Sequence, residues 1–404
     1  MSSMTNRAEV GGNIAGSRNT AEKLFFEIGF AQLNKFGEEL CGDSIVVNQA
    51  PSVSTVILSD GLGSGVKANI LSTLTSKIIS VMMESGCAID DVVETLIETL
   101  PTCQVRRLAY STFSLMQLDA SGTAHLVEYD NPPAMFLRGN KIREIDYVER
   151  QIKGKKIKEA ELEIKDGDIL VFISDGEVHA GIGGKCNLGW SWERISDFVE
   201  RISGKAMSAP EIAFELTNAA NQLYDQKPGD DTSAVVVRVR HRRFANVMIG
   251  APSEKADDPI IVADFLSNYG RKIVCGGTTG NIVSREMNEP IEVDLLTMNN
   301  DIPPIGIMKG VDLCTEGIIT LSNALKLLQS KASYKKLELE NNGATRLLRE
   351  LLRADEITFF VGQAINPAHQ TTNMPTEFGL KNQLTERLMK ELKKLGKKID
   401  IRTY

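Results

Sequence analysis

Residues 55–70, TVILSDGLGSGVKANI, decide how the first half of this chain folds. TVILS is a β-branched run of strand character that stops at Asp60-Gly61, where aspartate beside glycine is turn chemistry. The glycines of GLGSG let the backbone turn tightly into a helix starting near Ser64. From there Val66, Ile70, Leu74, Ile78 and Met82 recur every four residues. That recurrence makes one apolar stripe, the pattern of a helix packed on a core.

Working outward, the same strand texture returns on both sides. FEIGFAQLN (26–34), DSIVVNQ (43–49), STFSLMQLD (111–119), TAHLVEYD (123–130), AMFLRGNKI (134–142), DILVFISDG (168–176) and TSAVVVRVR (232–240) are alternating or β-branched runs. Most are bounded by Gly, Asp, Asn or Pro, so they read as strands, several pairing as successive hairpins. DDVVETLIETL (90–100) is a second helix stopped by Pro101, and WERISDFVERI (192–202) and PEIAFELTNAANQLY (210–224) are two later ones. Antiparallel strands with helices inserted in pairs predict an α+β domain, helices packed on a sheet or sandwich.

After the basic stretch RHRRFAN (240–246) the texture changes. RKIVCGG, IEVDLL and ITFFVGQ alternate with NALKLLQSKA, ATRLLRELLRA and NQLTERLMKELKKL, the rhythm of an α/β unit with parallel strands. The expected division is a flexible leader over 1–20, a first domain over 21–243 and a smaller α/β domain over 244–404. LMKELKKLGKK (388–398) reads as the solvated face of a terminal helix.

Composition narrows the function classes. The chain has 404 residues, 42% hydrophobic and 25% charged, as in globular proteins. Its 46 Lys+Arg against 53 Asp+Glu give a net charge of −7, without the basic excess that displaces counterions from nucleic acid. The 6 cysteines (Cys41, Cys87, Cys103, Cys186, Cys275, Cys314) show no CxxC or Cys/His spacing, against a disulfide framework and a structural zinc site. No apolar run has the length of a membrane span, and MSSMTNRAEVGGNIAGSRNT lacks the apolar stretch of a signal peptide. A reduced, cytoplasmic compartment is expected, with no nucleic-acid or membrane partner; a homo-oligomer stays open.

Acidic residues beside glycine occur at Gly42-Asp43, Asp60-Gly61, Asp175-Gly176 and Gly229-Asp230-Asp231. Singly each is an ordinary turn. Their placement changes the weighing, because Asp60 and Asp175 end strand runs while Asp43 and Asp230 open them. Carboxylates at strand ends of one sheet system converge at one rim, where they repel unless cations neutralise them. Oxygen donors without Cys or His select Mg²⁺ or Mn²⁺ over zinc, and such a cluster suits two ions sharing a hydroxide.

The order CGDSIVV (41–47), ILSDGLGSGVKAN (57–69), EYDNPPAMFLRG (128–139), GDILVFISDGEV (167–178) and GDDTSAVVV (229–237) resembles the metal-dependent serine/threonine protein phosphatases of type 2C. It is most similar to their bacterial branch, typified by stage II sporulation protein E, over roughly residues 25–240. The resemblance implies a β-sandwich flanked by helices. It also implies two Mn²⁺ or Mg²⁺ ions, with Asp60 bridging both and the Gly61 carbonyl holding one. Asp175 and Asp230 would ligate the other ion, with Asp231 beside it; Asp43 would hold metal-bound water or ligate directly. Asn131-Pro132-Pro133-Ala134 matches a turn of this branch and reads as a rigid hairpin connection.

Two positions depart from the wider family. Where animal members carry a phosphate-holding Arg, NKFGEELCGD (34–43) offers only Lys35, and their His after the second block's DG is Leu62 here. Phosphate binding then falls to the metals. His179 is a weaker substitute for the lost acid, reading first as an exposed loop histidine. Lys67 reads as a first-turn lysine that could equally lie near the phosphate.

The resemblance implies a protein serine/threonine phosphatase acting by two-metal hydroxide attack. Its partner would be a phosphorylated regulatory protein, as in anti-sigma-type switches. The rival is a catalytically silent scaffold of the same fold that binds a partner or ligand. In the second domain, RKIVCGGTTGNIVSREM (271–287) reads strand, glycine turn, helix. That is the layout of an anion site, with Thr278, Thr279 and Asn281 as polar contacts, or of a tight turn needing glycine for packing. Cys275 and Cys314 read as buried small hydrophobes.

Overall fold

The computed structural model describes residues 24–50, 52–100, 111–205, 207–298, 301–330, 337, 339–364 and 376–404. The expected leader, the stop at Pro101 and Cys103 lie outside the described residues. The chain divides into two compact units, one of Lys23–His241 and one containing Arg242–Tyr404.

The first unit is built on two sheets, with strands numbered in chain order. One runs β1 (Leu24–Leu33), β11 (Thr232–His241), β10 (Ile169–Ile173), β6 (Met135–Arg138), β7 (Lys141–Arg143). The other runs β2 (Asp43–Gln49), β3 (Val53–Gly61), β4 (Ser111–Asp119), β5 (Thr123–Tyr129), β9 (Lys155–Glu163), β8 (Val148–Ile152). Neighbouring strands are antiparallel throughout.

Alternation sorts the side chains into layers. Leu170 and Phe172 of β10 join Val56, Leu58, Met116, Leu126 and Val235 in a core between the sheets. Ile169, Val171 and Ile173 point the other way, under α3 (Trp192–Ser203) and α4 (Ala209–Leu223). This double burial is why ILVFI (169–173) is apolar without a break. On the second sheet, Ile57, Phe113, Leu115 and Val127 pack under α1 (Gly65–Glu84) and α2 (Ile89–Thr99). The result is an α+β sandwich flanked by helices.

One expectation is corrected. The stripe Val66, Ile70, Leu74 does not face the core: these residues stand exposed, and Ile78 and Met82 are only partly covered. The buried face of α1 carries Ala68, Ser72, Thr75, Ser76, Ile79 and Ser80. Small residues win this face because the strand ends come close. A Cβ on Gly61 would lie 2.1 Å from the Ala68 carbonyl oxygen, so backbone meets backbone at the start of this face, while Thr75 and Ile79 sit farther along it. The small hydroxyls find partners there: Ser44 Oγ and Ser76 Oγ are 2.8 Å apart, and Asn48 Nδ2 donates to Ser80 Oγ at 2.7 Å.

The second unit is a seven-stranded sheet in the order β14 (Glu292–Asp294), β15 (Ile305–Met308), β16 (Val311–Thr315), β13 (Arg271–Cys275), β12 (Phe244–Ile249), β17 (Glu356–Val361), β18 (Lys398–Thr403). From β16 to β18 the pairing is parallel; β14 and β15 add antiparallel at one edge. α5 (Asp258–Ser267) and α6 (Gly277–Met287) cover one face. α7 (Ile318–Gln329), α8 (Gly343–Arg353) and α9 (Thr376–Lys394) cover the other. This is a doubly wound arrangement. Cys275 and Cys314 are buried in it. Thr278 and Asn281 are exposed near the start of α6. Thr279 is buried, and its hydroxyl accepts from the Gly250 N–H at 2.9 Å, so it ties α6 to the end of β12.

Candidate active site

Four chain segments bring their carboxylates to one end of the sandwich. Asp43 opens β2 and pairs directly with Asp60 near the end of β3. Asp175 begins a one-turn helix, Asp175–Val178, just past β10. Asp230 and Asp231 precede β11, the strand paired with β10. The sheets are stitched here by serines. Ser174 N–H donates to the Ser233 carbonyl and Ser233 N–H to Ser174 Oγ, both at 2.9 Å. Ser233 Oγ in turn donates to Asp43 Oδ2 at 2.6 Å, linking one sheet to the other. Gln32 Nε2 of β1 completes the bridge, donating to Ser233 Oγ at 3.0 Å.

Glycine is required where the backbones converge. A Cβ on Gly176 would sit 2.1 Å from the Asp231 carbonyl oxygen, so Asp175 and Asp231 approach only because Gly176 has no side chain.

The electrostatics are those of crowded like charges. Burial, then the charges of Asp43, Asp175 and Asp230, pushes the Asp60 carboxyl far above the ordinary carboxylate range. Burial also raises Asp43, with Asp231 and Asp175 adding to it against the hydrogen bonds from Ser233 and Ser174. Asp230 is raised by burial and by Asp175, and is relieved by Lys35, whose Nζ lies 3.8 Å from its Oδ1. Asp43 Oδ1 and Asp231 Oδ2 are buried without a hydrogen-bond partner. Among the described residues, no three His, Cys, Asp or Glu side chains stand close enough to form a closed metal-binding group. The carboxylates line an open rim.

The donor set nonetheless fits divalent cations. It is all oxygen, it carries orphaned buried oxygens, and its members resist ionising together unless positive charge joins them.

Of the other residues singled out, His179 lies by this rim, with Nδ1 3.8 Å from Asp175 Oδ2. Leu62 is partly covered and Lys67 is exposed on the first turn of α1. Asn131 accepts from Thr112 Oγ1 at 2.5 Å and donates to Ser114 Oγ at 3.1 Å. Thr112 is the β4 partner of Asp60, so the Asn131-Pro132 turn braces the strand beside Asp60. Sequence reasoning missed Glu177. It is fully buried, with both oxygens unpartnered, and burial and the charge of Asp43 raise its carboxyl to about 8. No spacing marked it in the sequence, where it directly follows Asp175-Gly176 and precedes Val178 and His179. Ser233 and Gln32 were missed too; Ser233 follows Thr232 at the start of β11, and Gln32 stands between Ala31 and Leu33 in β1.

Residues 52–240 match the sequence model of the family described as stage II sporulation protein E. The stage II sporulation protein E of Bacillus subtilis (strain 168) is 24% identical over 232 residues, 55% of this chain and 27% of that protein. This chain therefore spans about a quarter of that relative's length. A solved phosphatase domain of the B. subtilis protein, described as a cell fate determinant, covers 54% of this chain and 94% of its own at 22% identity and TM-score 0.42. The structure of RsbX in complex with magnesium covers 53% of this chain and 95% of its own, at 18% identity and TM-score 0.39. Residues 52–240 are thus similar in sequence to the family described as stage II sporulation protein E.

Proposed function

We propose that this chain is a metal-dependent phosphoprotein phosphatase that hydrolyses phosphoserine or phosphothreonine on a regulatory protein, of the kind used in anti-sigma-type switches. The observation that carries the reading is the convergence of Asp43, Asp60, Asp175 and Asp230 from separate elements, where burial and neighbouring carboxylates raise Asp43, Asp60 and Asp230. A scaffold has no need of that cost. The match of residues 52–240 to the stage II sporulation protein E family supports the same reading.

Asp60 with the Gly61 carbonyl, Asp175, Asp230, Asp231 and Asp43 would hold two Mn²⁺ or Mg²⁺ ions. When bound, the ions supply Lewis acidity toward phosphoryl oxygens and a nucleophile at neutral pH. The chain's own residues arrange the rest. Ser233 fixes one oxygen of Asp43, leaving the other turned to the site. Lys35, half-exposed beside Asp230, brings positive charge to where a phosphate dianion enters. Asp175 orients the His179 imidazole at the rim.

The test is phosphate release from a phosphoserine peptide. Mn²⁺ or Mg²⁺ should support it, chelator should abolish it, and Zn²⁺ should not replace them, since the site lacks the nitrogen and sulfur donors zinc prefers. Absence of release under every metal condition would favour the silent scaffold. Full release in excess chelator would end the two-metal reading.

A further inference from the structure

The rim of the carboxylate cluster is apolar on one side. The loop after β1 is fixed to the cluster, since Lys35 N–H donates to Asp231 Oδ1 at 3.0 Å and Phe36 N–H to the Pro228 carbonyl at 2.8 Å. The same loop is fixed to the start of α1. Ser64 Oγ donates to Glu38 Oε1 at 3.2 Å, and Asn69 Nδ2 to the Cys41 carbonyl at 2.7 Å. Loop and helix therefore form one bordered surface beside the carboxylates. Its large apolar residues face solvent: Phe36 is 64% exposed, Leu40 43%, Val66 59% and Ile70 58%. Lys227 Nζ stands 5.4 Å from the Phe36 ring centre, so cationic charge accompanies the apolar groups.

We propose that Phe36, Leu40, Val66 and Ile70 form a recognition surface for the residues flanking the phosphorylated serine or threonine, selecting segments with large apolar side chains beside the phosphate. The inference rests on the phosphatase reading and deepens it by naming the substrate class. Three observations favour this occupant. A chain that delivers a phosphate to the carboxylate rim crosses the surface next to it, because loop and rim are hydrogen-bonded together. Lys35, beside Asp230, and Lys227, beside the Phe36 ring, place positive charge on the rim side of the surface, where a phosphate dianion would sit, while Glu38 and Glu39 of the same loop are exposed as well. Exposed apolar groups gathered beside a site are better accounted for by a bound partner than by the fold, which they do not support. On α1 the fold is held by the opposite, hydroxyl-rich face.

The experiment separates this inference from the reading beneath it by measuring binding and turnover independently. The probes are a fluorescein-labelled phosphoserine peptide flanked by leucines, its glycine-flanked counterpart, and p-nitrophenyl phosphate, each with the full chain and Mn²⁺. The leucine-flanked peptide should bind about tenfold tighter than the glycine-flanked one. Phe36→Ser and Ile70→Ser should each erase most of that difference, leaving p-nitrophenyl phosphate turnover within about twofold. Phe214→Ser, which removes an exposed aromatic from α4, should change neither. Equal binding of the two peptides by the wild-type chain would overturn the proposal. So would an equal loss of peptide and ester turnover in the variants, which marks a structural role. Peptide discrimination without any ester turnover would instead overturn the phosphatase reading and leave this surface standing.

Discussion

Glu128 is a buried carboxyl with unequal oxygens. Oε1 accepts from the Ala134 N–H at 2.7 Å and from the Tyr147 hydroxyl at 2.9 Å, while Oε2 is buried and bare. Burial raises it from 4.5 to about 7 against those two bonds. A raised carboxyl is protonated in the folded chain over a range where the unfolded chain has released its proton. Its contribution therefore favours folding at low pH and is lost as pH rises from 4.5 toward about 7. Glu128→Gln, which keeps the Oε1 acceptor and never ionises, should leave the Tm unchanged at about pH 5 and raise it by a few degrees at about pH 8. A variant less stable than wild type at both pH values would show that the ionised form is the one the fold uses. The same logic governs the site. Asp60→Asn and Asp175→Asn each remove one carboxyl from a crowded acidic group, so each should abolish measurable turnover, at least about 10³-fold, while the metal-free Tm stays equal or rises. Unfolding of either variant where wild type is stable would favour plain turn roles. Asp43, Asp60, Asp175 and Asp230 were legible because each stands at a strand end beside glycine. Glu177 and Ser233 were not, because an acid next to a turn aspartate, or a serine next to a threonine at a strand start, has no spacing that announces it.

At the scale of elements, α1 shows where periodicity runs out. The helix carries two four-residue recurrences, Val66–Ile70–Leu74 and Ala68–Ser72–Ser76–Ser80. Hydrophobicity alone assigns the first to the core. The second is inside, because β3 ends on a glycine whose backbone runs against Ala68. Room decides here, and room depends on a strand pairing that the helix sequence does not encode. Ser76→Leu should overpack the interface with β2 and cost about 1–3 kcal/mol. Leu74→Ser, on the outward face, should leave stability within about 0.5 kcal/mol. Denaturant titration of both variants checks the assignment, and the reverse ranking would return the apolar stripe to the core. The strands were more legible than this helix. β10 and β11 are buried on both faces, so their unbroken apolar runs identified them whatever packed above. β18, by contrast, reads KIDIRT, half polar and at a sheet edge, and the lysine-rich helix before it masked the strand.

At the scale of the whole molecule, every carboxylate of the site lies between Asp43 and Asp231. The sheet that carries Asp175 and Asp230 is finished by β11, which ends at His241 and pairs over its full length with β1. After that residue the chain starts a separate sheet with its own two apolar cores. We propose that residues 21–243 are an independent folding unit, since nothing in the sandwich needs a strand from later in the chain. A fragment of those residues should be soluble, unfold in one cooperative transition, and turn over p-nitrophenyl phosphate with Mn²⁺ at a rate within about threefold of the full chain. Residues 244–404 contribute none of the proposed ligands. Their removal should show in control or partner choice, and small-ester turnover should survive it. Limited proteolysis gives the first check, with cleavage expected in the basic stretch between the end of β11 at His241 and the start of β12 at Phe244. An insoluble fragment, or cleavage confined to the interior of the sandwich, would show that the two sequences fold only together. A soluble fragment without ester turnover would place a necessary part of catalysis in the second unit, against the assignment of all ligands to the first.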